Sequence, residues 1–247
     1  MAERALEWRV EETCLNAWPA LREVLLDDWV LRFSAGLTRR ANSANPLRPL
    51  SHVDLRASEG LYRRSGLPTI FRVLSVIDPS VDERLADAGY TGEGESCVLY
   101  APIEDVTAGR DADVKLLEHP TPEWFAAMAT LQNHSSEQAA IYRRIVGQLA
   151  VPAAFAALSD EGGTVAVAYG ALHNGLLCYE SVITDGRRRR QGWGRRIVCA
   201  LAAWASDQGA VGACLEVEAH NAPALALYAA IGLKRELYRY HYRREPV

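Results

Sequence analysis

The chain has 247 residues, 49% of them hydrophobic and 23% charged, which is the composition of an ordinary globular protein with material for one large core or two smaller ones. That balance excludes a disordered, collagenous or repeat-biased chain, and no apolar run approaches the roughly eighteen residues of a membrane-spanning helix. A net charge of -4 argues against general nucleic-acid binding. The opening residues carry acids and an early Trp8 where an export signal has a basic cluster and an apolar stretch, so a cytoplasmic address is expected. Five scattered cysteines (Cys14, Cys97, Cys178, Cys199, Cys214), odd in number and without C-x-x-C spacing, fit small buried thiols better than a metal site or a disulfide framework. Only Lys115 and Lys234 are lysines, which leaves little for lysine chemistry to work with.

In chain order, residues 19–33 read as helical material and residues 38–49, TRRANSANPLRP, as a polar loop. A helix over 57–66, a strand over 68–76, a helix over 81–89 and a strand over 95–103 follow. The polar segment 101–113 holds Pro, Gly and three Asp and separates two periodic stretches, so it is the expected linker between a region of residues 1–110 and a domain of residues 111–247. Beyond it come a strand at 114–119, a helix opening on prolines at 120–132 and a second helix over 135–150. The period then changes to three strands of an antiparallel meander, 152–160, 164–174 and 176–185, joined by short turns. A helix from Trp193 to Gly209, a strand over 212–219, a helix over 221–231 closed by Gly232, and a strand over 234–244 complete the chain. The second half is thus β-α-α-β-β-β-α-β-α-β, an α/β chain with a mixed, mostly antiparallel sheet whose fourth and fifth strands are parallel across a helical crossover. Leu61-Tyr62 before Gly66-Leu67 echoes Leu227-Tyr228 before Gly232-Leu233, a possible trace of duplication.

The strongest local signal is Arg189-Arg190-Gln191-Gly192-Trp193-Gly194, an R-x-x-G-x-G that leaves a strand and opens a helix. Glycines there let backbone N–H groups converge on an anion at the positive end of the helix dipole. It is not a dinucleotide fingerprint, because G-x-G-x-x-G is absent. The arginine run from Arg187 to Arg190, with Arg195 and Arg196, offers either a steering funnel for an anion or a solvated basic face. The nearest glycine pair in the first half, Gly92 and Gly94, stands among Glu93 and Glu95 before a strand and offers no such site.

Downstream, Asn221-Ala222-Pro223-Ala224-Leu225-Ala226-Leu227-Tyr228 stands one strand and one helix away. Together with the strand order, the two motifs resemble the GNAT superfamily of acetyl-CoA-dependent N-acetyltransferases over residues 114–247. The resemblance implies a GNAT fold and a direct transfer from acetyl-CoA to an amine acceptor in a ternary complex, without a metal; the apolar runs and the charge leave no membrane partner expected and a nucleic-acid partner disfavoured, and the sequence does not choose between monomer and homodimer. It implies that the loop at Arg189, Arg190, Gln191, Gly192, Trp193, Gly194 and Arg195 holds the CoA pyrophosphate. It further implies that the strand at Val182, Ile183 and Thr184 pairs with the pantetheine arm, that Asn221 contacts the cofactor, and that Tyr228 faces the thioester sulfur. Gly186 and Leu233 depart from the family's usual Pro and Phe.

For the base, Glu180 stands out as an acid in an otherwise apolar strand, with Glu218 and His220 as rivals. Tyr238, Tyr240 and Tyr242 share one face of the last strand, as an acceptor wall or as sheet surface. His134 with Ser135, Ser136 and Glu137 lies where the family builds its acceptor site, and no nucleophilic triad is read from it. The first half, lacking the phosphate loop, resembles a degenerate GNAT copy, as in tandem acetyltransferases, and would cover the sheet edge and wall the acceptor cleft. The alternative to an enzyme is a non-catalytic CoA-binding or partner-binding module on the same fold.

Overall fold

The computed structural model describes residues 5–49 and 52–246. The first half runs α1 (Leu6–Ala17), β1 (Arg22–Leu26), β2 (Trp29–Phe33), a 3-10 turn at Arg40–Asn42, β3 (Ala44–Pro46), α2 (Leu55–Arg64), β4 (Ile70–Leu74), α3 (Ser80–Asp87) and β5 (Thr91–Pro102). The second half runs β6 (Val114–Leu117), α4 (Pro122–Gln132), α5 (Ser136–Val146), β7 (Ala153–Asp160), β8 (Gly163–His173), β9 (Leu176–Thr184), α6 (Trp193–Asp207), β10 (Gly212–Glu218), α7 (Ala222–Ala230) and β11 (Arg235–Arg244). The second half has the element order that its periodicity predicts, including the parallel β9/β10 pair.

The first half corrects the sequence reading in three places. Residues 19–33 are not helical but form the β1/β2 hairpin, in register from Arg22↔Phe33 to Leu26↔Trp29. The apolar runs on either side of Asp27-Asp28 suit either period, and the two-residue turn with Asp27 at φ 50° decides for strands. The polar loop at 38–49 contains β3, whose Ala44, Asn45 and Pro46 are all buried. Gly92 and Gly94 do not precede a strand but lie within β5, opposite Arg243 and near Tyr242 of β11.

All strands join one sheet in the order β1-β2-β3-β4-β11-β5-β10-β9-β8-β7-β6. The last strand of each half has crossed into the other. Thus β11 lies between β4 and β5, antiparallel to both, while β5 lies between β11 and β10. One apolar cluster on the face of α1, α4 and α5 includes Trp8, Cys14, Trp124, Met128 and Tyr169 and continues through Phe71 and Tyr240 of the first-half sheet. The opposite face of the second half packs Ile197 and Leu201 of α6 with Tyr228 of α7.

The Leu-Tyr…Gly-Leu echo has a local cause. In both copies the carbonyl of the Tyr accepts the N–H five residues on, from Leu67 to Tyr62 and from Leu233 to Tyr228, with a left-handed glycine just before the donor. Helix α3, which carries no Leu-Tyr, closes identically, Tyr90 donating to Leu85 across Gly89. The echo is therefore the sequence of a helix C-cap.

Candidate active site

Strands β9 and β10 pair only at Leu176↔Gly212, Leu177↔Ala213 and Cys178↔Cys214. Beyond that point they part, so the β10-facing edge of β9 from Tyr179 to Thr184 carries no ladder partner, while its other edge stays paired to β8. A bulge fixes the divergence. Val167 opposes Ile183 and Tyr169 opposes Glu180, so Ser181 and Val182 together face Ala168, and Ser181 sits at φ 53°. Val182, Ile183 and Thr184 thus lie along a free strand edge, as expected of a segment that pairs with an extended ligand.

That edge runs into the N-terminus of the fifteen-residue α6. Gly192 is its N-cap, at φ 81°, with no side-chain capping bond. A Cβ on Gly192 would meet no atom within 4 Å, so the space above the backbone is open. Gly194 serves differently, because a Cβ there would lie 3.2 Å from Leu227 Cδ2 and 3.5 Å from Thr184 Cγ2, and its absence lets α6 approach α7 and the end of β9. Arg190, two residues before Gly192, also has a left-handed backbone, at φ 62°. The arginine run divides in two. Arg187 binds Asp185, Arg188 binds Asp160, and Arg196 binds Asp111 and Asp113. Arg189, Arg190 and Arg195 have no ion-pair partner among the described residues, and these three flank the open N-terminus.

Asn221 caps α7, its Oδ1 accepting from the Ala224 N–H at 3.2 Å. Its side-chain oxygen is therefore committed to the helix, leaving the amide NH2 for any ligand. Tyr228 is buried on the α6 side of the sheet, and burial, with the Glu180 charge adding to it, raises its phenol above the usual range. Glu180 points to the other face, two residues beyond Cys178. The two predicted catalytic groups thus lie on opposite faces of the sheet, near where β9 and β10 separate.

Glu180 belongs to a buried relay of charges that crosses both halves. Arg40 spans the gap between the diverging strands, with Nη2 at 2.7 Å from Glu180 Oε2 and Nη1 bonded to Glu216 Oε2. Glu216 Oε1 accepts from Arg72, Arg72 also binds Glu11, and Glu11 Oε2 accepts from the Tyr238 hydroxyl at 2.6 Å. Burial works against the Arg40 charge, and the adjoining Glu180 carboxylate more than restores it. Both oxygens of Glu216 are engaged. Glu180 keeps Oε1 free of charged partners, its contact being the Cys178 thiol at 3.9 Å.

Two cavities flank Arg40. One, of about 260 Å³, is lined by Trp18, Thr38, His134, Tyr142, Glu180 and Ser181 among others. The second, of about 500 Å³, lies over β10, β5 and β11 and includes Ser96, Glu216, Glu218, Tyr240 and Tyr242. Of the three alternating tyrosines, two therefore line a cavity while the third anchors Glu11. The rival acids separate: Glu218 and His220 form an exposed pair at 3.4 Å, outside the relay. Ser135 makes a capping box with Gln138 at the start of α5. His134 lies in the smaller cavity with Nδ1 unpartnered, and burial lowers its pKa. Cys14, Cys178 and Cys214 meet at the root of the cleft, their sulfurs within 4.8 Å of one another, and all five cysteines are buried and free.

Sequence reasoning missed Arg40, Arg72, Glu11 and Glu216. The signal for two of them was present: Arg72 is the one charge inside Ile70–Leu74, and Glu216 stands between the apolar Leu215 and Val217, and charges in such settings are buried only when paired. Nothing in a polar loop marks Arg40 as their common partner.

Among the described residues no helix is long and apolar enough to cross a membrane. The chain is 24% identical over 240 residues to the uncharacterized N-acetyltransferase YobR of Bacillus subtilis, a match covering 95% of this chain and 97% of that protein. It is 31% identical over 117 residues to the probable histone acetyltransferase Rv0428c of Mycobacterium tuberculosis, a match covering 47% of this chain and 36% of that protein. Among solved structures, a GCN5-related N-acetyltransferase from Kribbella flavida superposes with a TM-score of 0.71 at 17% identity over 99% of this chain and 98% of that one. A tandem GNAT protein from the clavulanic acid biosynthesis pathway matches at 0.62 and 12% identity over 83% and 76%. The family described as the C-terminal region of the probable histone acetyltransferase Rv0428c matches residues 7–243, from α1 into β11, and the chain belongs to that family, a GNAT-fold acetyltransferase.

Proposed function

We propose that the protein transfers an acetyl group from acetyl-CoA to an amine acceptor directly, within a ternary complex. The observation that carries this reading is the parting of β9 from β10 beyond Cys178 and Cys214, which leaves a free strand edge leading to an uncapped helix N-terminus. The fit to acetyl-CoA is good on three counts: the unpaired edge at Val182, Ile183 and Thr184, the open space over Gly192, and the unpaired Arg189, Arg190 and Arg195 beside it. Bound there, acetyl-CoA supplies an acetyl group activated as a thioester. Gln191, Trp193 and Gly194 complete the loop, and the Asn221 amide lies at the start of α7.

The rest is done by this chain's own groups. A lysine-like ammonium costs roughly 4 to 5 kcal/mol to deprotonate at pH 7 and an α-ammonium about 1, so an acceptor of the first kind needs a base. Glu180, which lines the smaller cavity, takes that proton on Oε1, the oxygen that Arg40 does not bind. Tyr228, held protonated by burial, donates a hydrogen bond to the departing sulfur, where stabilisation matters more than complete proton transfer. In this reading residues 1–110 are a degenerate GNAT copy that walls the acceptor side of the half formed by residues 111–247, with β5 and β11 exchanged between the two.

The test follows free thiol release from acetyl-CoA across a panel of small amines, amino acids and peptide N-termini, with calorimetry for binding. Acetyl-CoA bound at one site per chain, with thiol release for at least one acceptor class, is expected. Binding without release for any amine would replace the enzyme by a CoA-binding module.

A further inference from the structure

We infer that Arg40, supplied by the first half, is a positioning residue for the chemistry of the second: it holds the Glu180 carboxylate in place by bracing it against Glu216 across the cleft. This rests on the reading of Glu180 as the proton acceptor.

The inference starts from a loss of hydrogen bonds. Where β9 and β10 stop pairing, nothing in the sheet fixes their separation, and the first outward-facing positions on the same side are Glu180 and Glu216, each two residues past the last pair. Two carboxylates facing each other across an unpaired gap repel, and both are nearly dry, with side chains 6% and 3% exposed. The guanidinium of Arg40 stands between them and binds one with each terminal nitrogen. Its plane is itself fixed, since Glu216 is anchored from behind by Arg72, which in turn is held by Glu11 and lies 3.8 Å from the Tyr240 ring centroid.

The arrangement assigns different jobs to the two acids. Glu216 spends both oxygens on arginines and is an anchor. Glu180 spends one, which sets the orientation of the other. A planar fork does this and a lysine ammonium does not, because a point charge on a flexible stem cannot fix the planes of two carboxylates at once. Arg40 also separates the two cavities, lining both together with Thr38. The first half thereby reaches into the reaction site rather than only covering it.

A double-mutant cycle decides the matter, with acetyl-CoA affinity and thermal unfolding measured on each variant. Arg40→Met is expected to lower kcat at least about tenfold with acetyl-CoA affinity unchanged, and to cost less than about twofold more when Glu180 is already Gln, because the residue then has nothing to position. Should the Met variant fail to fold, Arg40→Lys keeps the charge, loses the fork, and enters the same cycle with the same expectation. An equal loss of kcat in both backgrounds would make Arg40 a structural residue and overturn the inference. If Glu180→Gln alone retains full turnover, the base assignment falls, and this inference with it.

Discussion

The two halves each contain a parallel strand pair joined by a helix, β3-α2-β4 and β9-α6-β10, and their helix N-termini are finished in opposite ways. Helix α2 is capped by Asp54, whose carboxylate accepts from the Ala57 N–H at 2.9 Å. Helix α6 has as its N-cap Gly192, which has no side chain to offer, and around it stand three arginines without an ion-pair partner among the described residues. An acid on the cap satisfies the helix from within and repels an external anion, whereas an empty cap leaves both N–H groups and dipole for a ligand. Anion binding at a helix start is thus a matter of what the protein leaves unfilled. The first terminus is closed by its own side chain, and the second is left open, as the proposed acetyl-CoA site requires.

Separating the halves gives the largest expected effect. A fragment of residues 111–247 leaves β10 without β5 and β11 without both its neighbours, so it should lose all acetyltransferase activity and its cooperative unfolding transition. Full activity from that fragment would reduce the first half to an accessory. Next in size, Tyr228→Phe should lower kcat by roughly ten to a thousandfold at little cost in acetyl-CoA affinity. Turnover equal to the parent protein removes the phenol from the reaction.

Gly192→Val addresses the open terminus itself. A β-branched residue strains the left-handed backbone at φ 81° and fills the space above it, and acetyl-CoA binding should weaken at least about tenfold in calorimetry while the fold persists. Unchanged affinity would move the phosphate site elsewhere. The smallest effect is expected at the filled terminus: Asp54→Ala should destabilise the protein by about 1 kcal/mol in denaturant unfolding and leave acetyl-CoA at one equivalent per chain. A second equivalent in that variant would show that the cap alone had silenced a twin site.

Most of the second half was legible because its signals are local. Periodicity, the Asn174-Gly175 turn and the glycine stops after α6 and α7 depend on residues within a few positions of one another, and the R-x-x-G-x-G before α6 is a contiguous string read the same way in any context. In the first half, Val24-Leu25-Leu26 and Trp29-Val30-Leu31 fit a helix as well as a hairpin, and the Leu-Tyr…Gly-Leu echo reported a helix cap that α3 shares under another sequence.

The sequence by itself determined the order of elements after residue 113 and the R-x-x-G-x-G string that opens α6, and it singled out Glu180 and Tyr228 as the groups to watch, since each rests on short-range pattern. Only the tertiary structure decided that β5 and β11 exchange places, that Glu216 and Glu180 face one another where two strands separate, and that Arg40, 140 residues before Glu180, fills the space between them. Strand order and the pairing of buried charges depend on contacts between residues distant in the chain. A buried Arg or Glu in an apolar stretch announces that a partner must exist, but which ones is fixed only when the chain has folded and brought the opposite charges within reach.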